Sequence, residues 1–153
     1  MIDKQKLKIH LLERCVVQLS TRRAAVDNIL ANVAISLKEE TKSSAGDKHE
    51  TGRAMLQLER ENAGKQLAEI EKLEAILQRI SSDISPDPVH LGSVVMTSQA
   101  NYFISIPVGE IKTEAGVFYA IGIGSPIGQL LLGKREGDEV RFRESVLNIT
   151  NIY

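Results

Sequence analysis

Thr41-Lys-Ser-Ser-Ala-Gly-Asp-Lys-His-Glu-Thr-Gly-Arg53 decides how this chain is read. It is short, small and polar, and it separates two long helical patterns that contain no Pro. Helices joined by so short a link fold back on each other as an αα-hairpin. The link is then the tip of a long arm, and it carries two carboxylates three residues apart, Asp47 and Glu50.

Upstream of the tip, a helix is expected from about Lys4 to Glu40. Ile9, Leu12, Val16, Leu19, Arg23, Val26, Leu30, Val33 and Leu37 alternate steps of three and four. That is a heptad seam suited to a two-helix coiled coil, with Arg23 as its one misfit. At about 1.5 Å per residue such a helix spans roughly 55 Å. Arg23 is expected to lay its stem along the seam with its head in water. A nucleic-acid contact by Arg22 and Arg23 is the weaker alternative. Downstream, Leu56, Ala63, Leu67, Ile70, Leu73, Leu77 and Ile80 give a second helix, ending near Ser81, a matching stripe. Cys15 reads as a small apolar residue beside the seam.

Composition changes along the chain. All six aromatics lie at Tyr102 or later and all four prolines at Pro86 or later. Ser85-Pro-Asp-Pro88 reads as a linker, because each Pro pushes its predecessor toward extended backbone. The expected organisation is a helical hairpin over 1–82, a linker over 83–89 and a small β-rich domain over 90–153. In the last part, 91–97, 101–106, 116–123, 139–143 and 146–152 read as strands. Lys112-Thr-Glu-Ala115 and Lys134-Arg-Glu-Gly-Asp138 read as turns. Ser125, Pro126 and Gly133 fit the N-cap, first and C′ positions of one short helix. Leu130, Leu131 and Leu132 would then be available to pack on the sheet. The fold class expected is α+β.

With 153 residues, 42% apolar and 25% charged, the chain has the composition of a globular protein. Its net charge of −1 gives no general attraction to nucleic acid or membrane. One cysteine excludes an internal disulfide and a cysteine-rich zinc site. No apolar run is long enough for a signal peptide core or a membrane span, so a cytoplasmic location and no membrane partner are expected. No phosphate-binding glycine loop or nucleophile elbow is present, so no independent enzyme site is read.

Two motifs carry a resemblance. Gly46-Asp-Lys-His-Glu50 is similar to a Gly-Asp-x-x-Glu tip. Ser125-Pro-Ile-Gly-Gln-Leu-Leu-Leu-Gly-Lys-Arg-Glu-Gly-Asp138 is similar to a Ser-Pro-(Ile/Leu) helix followed by Gly-Lys-x-x-Gly-Asp. Together with the order of hairpin and β-rich domain, they resemble the Gre family of bacterial transcription elongation factors, the transcript cleavage factors GreA and GreB. The resemblance implies an FKBP-like C-terminal domain that docks at the rim of the RNA polymerase secondary channel, with Gly124, Ser125 and Pro126 at the partner surface. It implies that the coiled coil enters the channel, where Asp47 and Glu50 help hold a second Mg²⁺ beside the nascent RNA 3′ end. The polymerase's own hydrolysis then cleaves backtracked RNA, so the protein would be an accessory factor, monomeric, with no cofactor of its own. Thr51, where the family has Asn, and Gly52-Arg53-Ala54-Met55, where it has an aromatic, leave open a channel-binding regulator without cleavage activity. Lys48 and His49 also depart from the family's tip; His49 reads as a solvated residue. A third class, a prolyl isomerase, rests only on the implied C-terminal fold, in a chain without Trp.

The residues of the tip also fit a purely structural role. Asp47 as N-cap with Glu50 three residues on is a capping box, and Ser44 with Asp47 makes a second one. If Ser44 caps, Asp47 and Glu50 lie inside the helix on one face.

Overall fold

The computed structural model describes residues 3–42 and 46–153, with side chains described outside 41–49. Two long helices come first, α1 (Lys4–Lys42) and α2 (Gly46–Gln78). Six strands and one short helix follow: β1 (Val94–Thr97), β2 (Asn101–Ser105), β3 (Gly109–Thr113), β4 (Gly116–Gly122), α3 (Pro126–Leu131), β5 (Glu139–Phe142) and β6 (Ser145–Ile152). The architecture is α+β, a long helical hairpin followed by a mostly antiparallel sheet with a short helix. The chain divides into two compact units, Leu19–Glu74 and the remainder, Met1–Gln18 with Ala75–Tyr153.

In the Leu19–Glu74 unit the expected seam forms. Leu19, Val26 and Val33 of α1 are buried, as are Ala63, Ile70 and Leu73 of α2. Arg23 differs from expectation. Its guanidinium is not simply solvated but bonds Glu74 and lies 3.7 Å from Glu71 on α2 and 3.8 Å from Asp27 on its own helix. The misfit in the seam is therefore an interhelical ion-pair cluster, half exposed, in which Arg23 is already committed to carboxylates.

In the other unit the seam is replaced. Ile9 and Val16 are exposed, whereas Leu7, Lys8, Leu11 and Cys15 are buried. The reason lies in what α1 faces there. Successive strand residues point to opposite sides of a sheet. Ile104 joins a core with Ile127 and Leu131 of α3, together with Val89, Val95, Val140, Leu147, Ile149 and Ile152. Ser105, the next residue, meets Cys15 of α1, Oγ to Sγ 3.7 Å. The register pairs Val94 with Phe103, Phe103 with Ala120 and Ile111 with Phe118, so all these side chains share the α1 side. A broad sheet face takes a stripe at four-residue spacing, Leu7, Leu11, Cys15, in place of a narrow heptad seam.

The strand order is β3-β4-β2-β1-β6-β5. β2 and β4 run parallel, and every other pair is antiparallel. β3 makes this possible, because it returns the chain along the outside of β4. Sequence reading placed Lys112–Thr113 in a turn, and only Glu114 and Ala115 form it. Ile111 is the sole large apolar residue of β3, too little for an alternating pattern. The stretch before β1 is anchored rather than loose. Val89 is 1% exposed, and its backbone exchanges hydrogen bonds with Gly133 and Lys134 after α3.

α3 begins as expected. The Ser125 hydroxyl accepts from the Gly128 amide at 3.1 Å and donates to the Gly122 carbonyl at 2.8 Å. Pro126 is the first helical residue, and Gly133 takes a φ of 81° just beyond the Leu132 cap. Of the three leucines only Leu131 reaches the core; Leu130 and Leu132 are 39% and 40% exposed. A six-residue helix has one inward face, and Ile127 and Leu131 fill it.

Gly128 lies against this cap. A Cβ there would stand 2.4 Å from the Gly122 carbonyl oxygen and 2.8 Å from the Ser125 hydroxyl. Gly128→Ala therefore forces the cap open, and a loss of about 1–3 kcal/mol is expected, measured by urea denaturation. A variant as stable as the wild type would mean that α3 is not tied to the end of β4 through this contact.

Candidate functional site: the hairpin tip and the α3 cap

α1 extends to Lys42 and α2 begins at Gly46, so the helices take up most of the stretch read as a link. Asp47 and Glu50 belong to α2. At three-residue spacing on one helix they occupy neighbouring positions on one face. Asp47 is the second residue of α2. Ser44, the other capping candidate, lies outside the described residues. So do the side chains of Asp47, Lys48 and His49. Glu50 is exposed.

A further acid stands near the tip. A Cβ built on Gly52 would be 3.5 Å from Oε1 of Glu40, which places the carboxylate of α1 beside the backbone of α2. Glu40 could not be singled out from sequence, because its relevance comes from the helix opposite. Among the described residues no three His, Cys, Asp or Glu side chains are grouped to hold a metal ion. Two carboxylates on one helical face do fit a divalent hard cation that takes its other ligands from elsewhere, since Mg²⁺ is commonly held by one or two carboxylates with water and phosphate.

The second predicted surface is at the start of α3. Gly124 and Pro126 are exposed and Ser125 is half-buried, its hydroxyl committed to the cap. The exposed Leu130 and Leu132 give the same helix an outward apolar side. The Gln129 side-chain amide donates to the Ile123 carbonyl at 2.9 Å and holds the approach to the helix. Gly124, Ser125 and Pro126 thus form one small outward corner with a fixed backbone.

Lys8 escapes sequence reading, and Cys15, read as a small apolar residue beside the seam, is buried against Ser105 of the sheet. Lys8 is 1% exposed, with Nζ donating to the Asp83 carbonyl at 2.7 Å. Burial holds its pKa below the ordinary lysine value, and the Asp83 charge opposes that shift. Burial pushes the Cys15 thiol up, against a smaller lowering by the Ser105 hydrogen bond. Both side chains serve the seating of α1, to which Gln5 adds a bond to the Ser82 carbonyl at 2.8 Å.

No protein-family model matches this chain, and none of the curated proteins matches its sequence. No described helix is long and apolar enough to cross a membrane.

Lys8 carries a pH signature. Because its pKa is lower folded than unfolded, the unfolded chain holds the proton more tightly. Stability contributed by this group therefore rises with pH through the window between the two values, just below about 10.4, and is flat at lower pH. Lys8→Met removes the buried charge. Its stability relative to wild type should be most favourable near neutral pH and fall as pH approaches that window. Urea midpoints from pH 7 upward test this; a difference independent of pH would show that Lys8 is not desolvated in the folded protein.

Proposed function

We propose that this protein is a Gre-like accessory factor of RNA polymerase that promotes cleavage of backtracked RNA. The observation that carries the reading is the position of Asp47 and Glu50. They stand three residues apart at the start of α2, at the turning end of a hairpin whose helices have 39 and 33 residues. Such a hairpin can deliver two carboxylates into a narrow channel. A small β-rich domain with a rigid surface corner, Gly124 to Pro126, provides the docking element. The mostly antiparallel sheet with one short helix packed on it supports an FKBP-like assignment for that domain.

On this reading Asp47 and Glu50 help hold a Mg²⁺ shared with the polymerase, and the factor has no catalytic centre of its own. The ion would supply charge stabilisation for the attacking and leaving oxygens of phosphodiester hydrolysis. The chain's own contribution is positional. Helical backbone sets the spacing of the two residues along α2, and the Arg23 cluster ties the two helices across their seam. The nascent RNA 3′ end is the reacting partner, in the cytoplasm of a bacterial cell. A second reading, a channel-binding regulator without cleavage activity, draws on Lys48, Thr51 and Gly52 around the acids.

The neutral isosteres Asp47→Asn and Glu50→Gln test the assignment. Each should leave polymerase binding intact and change stability by about 0.5 kcal/mol, as expected for a lost charge near a helix start. RNA cleavage in a stalled elongation complex should fall by roughly tenfold or more, a barrier change of about 1.4 kcal/mol. Full cleavage by both variants would leave the acids a structural role. A wild-type protein that binds polymerase and never stimulates cleavage would favour the second reading.

A further inference from the structure

We draw no further inference here: the strongest candidate, the apolar hollow of about 690 Å³ along one side of the hairpin between α1 and α2, where Met55 and Leu58 stand exposed, carries nothing because nothing in the structure shows what covers it.

Discussion

The structure depends on β2 being buried from both sides. Ile104 faces the α3 core and Ser105, the next residue, faces Cys15 of α1. A strand in this position needs a cover on each face, since a bare sheet side would leave Phe103, Phe118 and Ile111 in water. The start of α1 is the cover on one side. This is why the first four turns of the helix abandon the heptad stripe, and why a lysine amine can be held there at all. Lys8 is accommodated because the chain after α2 brings the Asp83 carbonyl to it; without that acceptor a buried ammonium would be severely destabilising.

The same helix thus serves two kinds of packing. Below Gln18 it meets a sheet, and beyond Leu19 it meets a second helix. Leu19 belongs to both patterns, at four residues from Cys15 and seven from Val26. In the hairpin, one polar position in the seam, Arg23, faces Glu71 and Glu74 on α2. A pairing of this kind selects register more than it adds stability, because shifting α2 by a turn would separate the charges.

α3 shows how small elements are made rigid. The Ser125 side chain both accepts and donates, Gly128 leaves no room for a side chain, and Gly133 ends the helix with a backbone conformation that other residues adopt at a cost. Six residues of helix would not persist alone. They do so here because Ile127 and Leu131 are inserted in the sheet core and because the ends are hydrogen-bonded to Gly122 at the end of β4 and to Val89 before β1. The outward corner at Gly124 to Pro126 inherits that rigidity.

Much of this was legible in the sequence. Long Pro-free stretches with heptad spacing specify two helices, and a short polar link between them specifies a hairpin, because both signals are local. Ser125, Pro126 and Gly133 specify the ends of α3 for the same reason: capping is chemistry between residues a few positions apart. The acids at 47 and 50 stand out by their spacing, and both lie on α2. What lay beyond the sequence depends on residues far apart in the chain. Which side of α1 is buried before Leu19 is decided by the sheet, through contacts 75 to 90 residues away such as Lys8–Asp83 and Cys15–Ser105. β3 has one large apolar residue and becomes a strand because β4 pairs with it. Leu130 and Leu132 resemble Leu131 in sequence, yet they are exposed because a single helical turn can turn only one side toward a sheet. Local rules determined the elements, and the sheet determined which of their faces would be hidden.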